Sequence, residues 1–257
     1  MEPAKVNLLV IGLDGASFKI IKPNLNRLPN FKFLMNNGFY QVLRQEPPLF
    51  SAGLWTTIFS GIPQRKHKYH NFTKGDKLMT REDIPVRFIW DDLNTFCKIR
   101  VLQVPITCPP YNFNVNFQPI DNGLSIDLND LGKETEELTF KTLKISKEGC
   151  DLLIAIFTAL DRIQHFHWGE NLVLAWYEKF DEIIGLLAKQ AQKIIIVSDH
   201  GFCDFKESGF KTLPEFNVYG QRLSGDHHPD AIFITKNIKG RINNAEQIYG
   251  LIKKEFV

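Results

Sequence analysis

Three short apolar runs in this chain end in acidic residues, and two of them add histidines. The first runs Val10-Ile11-Gly12-Leu13-Asp14-Gly15, the second passes through Thr158-Ala159-Leu160-Asp161-Arg162-Ile163-Gln164-His165, and the third through Val197-Ser198-Asp199-His200-Gly201. A fourth cluster, Gly225-Asp226-His227-His228-Pro229-Asp230, stands just ahead of the last apolar run. Carboxylate oxygens mixed with imidazole nitrogens suit zinc, manganese or iron, and a set of this size would hold two ions. Singly, each signal is weak. An acid after a strand often caps the next helix, a lone histidine is more often a surface or hydrogen-bonded core residue, and Asp161 and His165 share a helix face as many charged pairs do. Four clusters at one edge of a sheet would each need a separate accident, whereas a metal site needs just this convergence.

A serine completes the set. Pro47-Pro48-Leu49-Phe50-Ser51 followed by Ala52 to Ser60 and Gly61 reads as a loop, an N-cap serine and a short helix closed by glycine. A hydroxyl at a helix N-terminus lies at the positive end of the macrodipole, beside backbone N–H groups that cradle phosphate. Beside a metal ion it would ionise near neutral pH and become a nucleophile. Without the Asp and His clusters, Ser51 would read as a simple cap.

The elements that must carry these residues follow from hydropathy. Val- and Ile-rich runs at 6–13, 99–104, 151–158, 193–198 and 231–235 alternate with helical patterns. That alternation predicts a mostly parallel sheet covered on both faces, and such sheets bind ligands at the carboxyl ends of their strands. Leu28 to Asn37 reads as a helix with Gly38 at C′, Pro85 to Phe96 as a helix begun by proline, and Glu170 to Gln190 as the longest helix. Asn244 to Phe256 reads as a terminal amphipathic helix. Pro105, Pro109, Pro110 and Pro119, then the turn formers from Asp121 to Leu131, predict a loop ahead of a helix over Lys133 to Lys147.

Composition bounds the remaining classes. With 257 residues, 44% of them hydrophobic, residues 1–257 read as one catalytic domain. The 31 basic and 29 acidic residues give a formal charge of +2, with no basic block interleaved with aromatics, so no nucleic-acid polymer is expected as partner. No leader-like segment precedes Val6 and no apolar run is long enough for a bilayer, so the expected location is cytoplasmic. Cys97, Cys108, Cys150 and Cys203 are scattered and read as reduced, structural thiols.

Taken together, Val10 to Ala16, the stretch from Pro48 through Leu54-Trp55-Thr56-Thr57 to Gly61 and His67, Asp161 to His165, Ser198 to Gly201 and Gly225-Asp226-His227 resemble the alkaline phosphatase superfamily. The resemblance is greatest to its type I phosphodiesterase and nucleotide pyrophosphatase branch, and it spans nearly the whole chain with the motifs in order. It implies an α/β, three-layer αβα sandwich and a phosphate-ester hydrolase acting through a phosphoserine at a two-metal site. It assigns Asp14, Ser51, Asp199 and His200 to one ion, with Ser51 as nucleophile, and Asp161, His165 and His227 to the other. Zinc is the expected metal, with manganese or iron as alternatives, and the expected substrate is a small phosphate ester or nucleotide. His228 falls one place beyond the family's histidine and reads as a supporting or surface residue. Two positions depart from the pattern: Ala52-Gly53 where proline often follows the nucleophile, and Lys68 where glycine commonly follows the histidine matched by His67.

Competing readings differ in what they require. A phosphomonoesterase would use the same residues on another ester. A phosphomutase needs a large added domain, and a sulfatase a signature that is absent. A non-catalytic metal- or ligand-binding module would bind metal and leave a broad ester panel intact. Dinucleotide binding fails because Gly12-Leu13-Asp14-Gly15-Ala16-Ser17 lacks the G-x-G-x-x-G spacing. Trp55, Trp90 and Trp168 could stack a base but read first as core, and Arg162 and Lys66 read first as structural or solvated charges.

Overall fold

The computed structural model describes residues 5–108, 110–113, 126–217 and 220–257. The chain opens with β1 (Val6–Leu13), the helices α1 (Phe18–Ile21) and α2 (Pro29–Asn37), and β2 (Phe39–Arg44). There follow α3 (Ser51–Ser60), α4 (Gln64–His67), the two-residue strands β3 (Thr73–Lys74) and β4 (Lys77–Leu78), α5 (Ile89–Leu93) and β5 (Ile99–Val104). Next come β6 (Tyr111–Phe113), α6 (Leu128–Glu148), β7 (Cys150–Phe157), α7 (Ala159–His167), α8 (Asn171–Ala188) and β8 (Ala191–Val197). A hairpin of β9 (Gly201–Asp204) and β10 (Gly225–His228) precedes β11 (Asp230–Lys236) and α9 (Gln247–Lys253).

Among the described residues, seven strands form the main sheet in the order β2-β11-β8-β1-β7-β5-β6. Its centre, β8-β1-β7-β5, is parallel, while β11 runs antiparallel to β8 and β2, and β6 antiparallel to β5. The central strands are unbroken apolar runs because both faces are covered: Leu8, Leu9, Val10 and Ile11 are all fully buried. One face packs under α2, α6, α7 and α8, through Phe31, Leu138, Ile163 and Phe180. The opposite face packs under α3, α5 and α9, through Trp55, Phe59, Trp90 and Ile248. This is the expected mixed α/β architecture, a mostly parallel sheet between two helical layers.

The five apolar runs all form strands of this sheet. Strand β2 escapes the hydropathy reading because only one face of this edge strand meets the core: burial alternates along Phe39–Arg44, and polar Gln41 interrupts the apolar residues. Helix α6 starts at Leu128, earlier than the expected Lys133, because the Asp127 carboxylate accepts from Asn129 N at 2.9 Å and Asp130 N at 3.2 Å and begins the helix there. The expected loop positions Pro109, Pro119 and Asp121 lie outside the described residues. Pro85 does not begin a helix: Asp91 Oδ2 accepts from Phe88 N at 2.9 Å and sets the start of α5 at Ile89. Gly38 ends α2 but is extended, with φ −135°, so it is not a left-handed C′ residue. Its hydrogen side chain is needed because a Cβ there would collide with the Thr235 carbonyl of β11.

Candidate metal centre

Parallel strands deliver their following residues to one edge, and the topology uses this three times. Asp14 follows β1, Asp161 lies in the first turn of α7 just after β7, and Asp199-His200 follow β8. Because β11 is antiparallel to β8, its N-terminal end reaches the same edge, and the hairpin ahead of it swings His227 in from β10. On α7, Asp161 and His165 are one turn apart and aim their donors at one point, with 3.5 Å between His165 Nε2 and Asp161 Oδ1.

The donors form two adjacent groups. Asp161, His165 and His227 make one, and Asp14, Asp199 and His200 the other, each with its donor atoms within 4.8 Å of one another. His227 Nε2 lies 3.1 Å from Asp161 Oδ1, and His200 Nε2 lies 3.4 Å from both Asp14 Oδ1 and Asp199 Oδ2. Asp161 Oδ1 is also 3.7 Å from His200 Nε2, and the His200 and His227 rings stack with centroids 3.6 Å apart, so the groups share a wall.

Ser51 stands at the head of α3. Its position corrects the sequence reading: the N-cap is Phe50, and Ser51 is the first helical residue. The hydroxyl therefore caps no backbone N–H. It donates to Asp14 Oδ1 at 3.2 Å and lies 3.4 Å from His200 Nε2. Gly61 closes the helix in the left-handed conformation, φ 69°, as expected.

Backbone carbonyls set the imidazole tautomers. His165 Nδ1 faces Gly225 O at 3.2 Å, His200 Nδ1 faces Gly201 O at 2.9 Å, and His227 Nδ1 faces Leu49 O at 2.5 Å. A carbonyl only accepts, so each Nδ1 carries the proton and each Nε2 is left with a lone pair turned toward the carboxylates. His165 Nε2 and His227 Nε2 then face each other at 3.1 Å, lone pair to lone pair. Among the described residues, the buried oxygens Asp161 Oδ1 and Asp199 Oδ2 accept no hydrogen bond. Inward-facing lone pairs with no proton between them fit a pair of cations, and oxygen-nitrogen donors of this mix suit divalent first-row metals.

Without bound cations, the positive charge these acids meet is that of the imidazoles themselves. Burial alone would push the Asp161 carboxyl up, but facing His165, His227 and His200 holds it well below the usual carboxylate range. Burial, then the neighbouring Asp14 carboxylate, pushes Asp199 well above that range. Burial pushes His165 down. Burial also acts downward on His200, but its contact with Asp14 and the charge of Asp161 outweigh it and raise that imidazole. Acids crowded this closely resist joint ionisation in the absence of positive charge.

Several supporting residues were not legible beforehand. Trp55, considered as core or as a stacking platform, is buried and donates its indole N–H to Asp14 Oδ2 at 3.0 Å. Gly12 permits this, since a Cβ there would strike the Ile156 side chain and lie 2.7 Å from the Trp55 ring. Arg162 does not face the donors: it is buried in an ion pair with Glu134. His67 supports α3, with Nε2 2.9 Å from Thr57 Oγ1, and burial pushes its imidazole down to about 4. Lys68, where the family commonly has glycine, has φ 57°, the left-handed conformation that glycine favours. His228 is half-buried at the end of β10, and its Nδ1 accepts from Asp230 N at 3.2 Å. Trp168 stacks against Phe202, and Trp90 lies in the core. The four cysteines are unbridged, and no helix among the described residues is long and apolar enough to cross a membrane.

Residues 8–87 and 88–224 match the family model described as type I phosphodiesterase / nucleotide pyrophosphatase. Comparison with curated proteins gives no match. Among solved structures, phosphonoacetate hydrolase from Sinorhizobium meliloti 1021 in complex with phosphonoformate is similar at TM-score 0.70 and 10% identity, covering 98% of this chain and 96% of that one. Murine ectonucleotide pyrophosphatase / phosphodiesterase 5 is similar at TM-score 0.63 and 15% identity, covering 96% and 94%. An inactive form of the murine protein in complex with AMP gives TM-score 0.65 at 15% identity, covering 97% and 94%. At these identities the structural likeness speaks to the fold.

Proposed function

Since this chain belongs to the type I phosphodiesterase / nucleotide pyrophosphatase family, we propose that it hydrolyses a phosphodiester or nucleotide pyrophosphate bond through Ser51 at a two-metal site. The family is one of divalent-metal-dependent hydrolases, and the chain is an enzyme of that type. On this reading residues 1–257 form a single catalytic domain. Asp14, Ser51, Asp199 and His200 hold one ion, and Asp161, His165 and His227 the other. Zinc is the metal best suited to this donor set, with manganese and iron as the other candidates.

The observation that carries the reading is the Ser51 hydroxyl, which heads a helix yet is turned to Asp14 and His200 rather than to its own backbone. Bound divalent ions would lower the pKa of that hydroxyl and neutralise charge on the ester oxygens. Ser51 Oγ gives up its proton to solvent and attacks phosphorus, forming an Oγ–P bond as the P–O bond to the leaving group breaks and the departing oxygen takes up a proton. The α3 N-terminus offers its backbone N–H groups to the phosphoryl oxygens. Trp55 holds the Asp14 carboxylate in place, and the carbonyls of Leu49, Gly201 and Gly225 hold the three imidazoles. Water then attacks phosphorus, breaks the Oγ–P bond and regenerates the serine. A small phosphate ester or nucleotide is the substrate class. A cytoplasmic location is part of this reading, and the scattered spacing of the four cysteines fits it.

The test is hydrolysis of p-nitrophenyl phosphate, bis-p-nitrophenyl phosphate, p-nitrophenyl thymidine monophosphate and phosphonoacetate, after chelation and after zinc or manganese is restored. Metal-restored cleavage of the two diesters supports the reading. Preference for the monoester makes the protein a phosphomonoesterase, and metal binding without any cleavage makes it a binding module.

A further inference from the structure

The loop that presents the nucleophile also holds a metal ligand, and one side chain outside both groups fastens that loop. Helix α3 has no side-chain N-cap, since Phe50 offers none and the Ser51 hydroxyl is turned to Asp14. In the segment Glu46 to Phe50, which carries Ser51, Pro47 and Pro48 have no N–H to give, so carbonyls are the main-chain groups that can hold the chain there. Gln64 in α4 supplies the donors. Its buried amide Nε2 donates to Glu46 O at 2.9 Å and to Pro48 O at 3.0 Å, on either side of Pro47. Two carbonyl acceptors fix the orientation of that amide, so Oε1 faces His70 Nδ1, 3.2 Å away.

The next carbonyl along, Leu49 O, holds His227 with its Nε2 lone pair toward Asp161. The residue after Phe50 is Ser51 itself. Gln64 also lies across the first turn of α3, where a Cβ on Gly53 would collide with Gln64 Oε1. We infer that Gln64 is a positioning residue that sets the nucleophile Ser51 and the ligand His227 in register with each other, through the loop both depend on. This rests on the roles proposed above for those two residues.

Gln64→Glu tests it, because glutamate keeps the shape and the acceptor for His70 but cannot donate to Glu46 O and Pro48 O. Gln64→Met removes the same donors without adding charge and guards against an effect of the new carboxylate. Zinc binding to the full chain is measured by competition with a chromophoric chelator, alongside thermal unfolding and diester kinetics. The expected result in both variants is one of two zinc sites weakened roughly tenfold to a hundredfold, kcat lowered by a similar factor and KM within about threefold. The other zinc site, made by Asp14, Ser51, Asp199 and His200, has three ligands that Gln64 does not touch and loses no more than about threefold in affinity, and the melting temperature stays within about 3 °C. Unchanged zinc affinity in Gln64→Met overturns the inference, as does equal loss of both sites together with a large fall in melting temperature. A wild-type chain that binds two zinc ions but cleaves no ester would defeat the proposed function, while the zinc affinities of the variants would still decide the role of Gln64.

Discussion

Replacing Gly12 by alanine places one methyl group where α3 meets the sheet, and its effect can be worked out in advance. The new Cβ would strike the Ile156 side chain and lie 2.7 Å from the Trp55 ring, and both residues are fully buried. Overpacking of this kind costs about 1–3 kcal/mol. An unfolding entropy of about 2.1 cal/mol/K per residue gives about 0.5 kcal/mol/K for the whole chain, so 2 kcal/mol lowers the melting temperature by about 4 °C. The consequence for the site is more specific. Trp55 is the group that donates to Asp14 Oδ2, so a displaced indole releases that carboxylate. Zinc affinity at the Asp14, Asp199 and His200 group should fall roughly tenfold, while the Asp161, His165 and His227 group holds. Calorimetry and chelator competition on Gly12→Ala measure both. An unchanged melting temperature would refute the packing, and a lowered one with both zinc affinities intact would refute the link from Gly12 through Trp55 to the ligand.

Other perturbations probe separate parts of the structure. His67 is held at about 4 when folded against 6.5 in its ordinary state, so stability is full above pH 6.5 and is lost as pH falls from 6.5 toward 4. Allowing for screening, that loss is roughly 2 kcal/mol; urea unfolding should show it reduced in His67→Gln, and equal pH dependence in the two proteins would count against it. Lys68→Gly relieves a left-handed residue and should stabilise the protein by about 0.5–1 kcal/mol; a lower melting temperature would contradict this. Asp161→Asn should reduce bound zinc from two ions per chain to one with the fold kept, and elemental analysis showing two would reject Asp161 as a ligand.

Much of this structure is legible in the sequence because burial leaves strong marks. The central strands are covered on both faces and so appear as plain apolar runs, and the parallel connection carries Asp14, Asp161 and Asp199 to one edge once those strands are recognised. His227 is harder, since it arrives on a separate hairpin and reaches the edge only because β11 is antiparallel to β8. Ser51 was expected to cap its helix, but the cap lies one residue earlier, and that shift frees its hydroxyl for Asp14. The carbonyls of Leu49, Gly201 and Gly225 carry no side-chain signature, so the tautomers they impose could not be read in advance. Gln64 acts through two donated hydrogen bonds and Trp55 through one, each to a residue distant in sequence, and no periodicity reports that.

The two-metal serine mechanism is tested most directly by Ser51→Ala, with elemental analysis and diester turnover measured on the same preparation. Two divalent ions retained per chain, an unchanged melting temperature and turnover lowered by roughly a thousandfold or more would match the mechanism. An alanine variant that carries both ions and still turns over within tenfold of the wild type would contradict it.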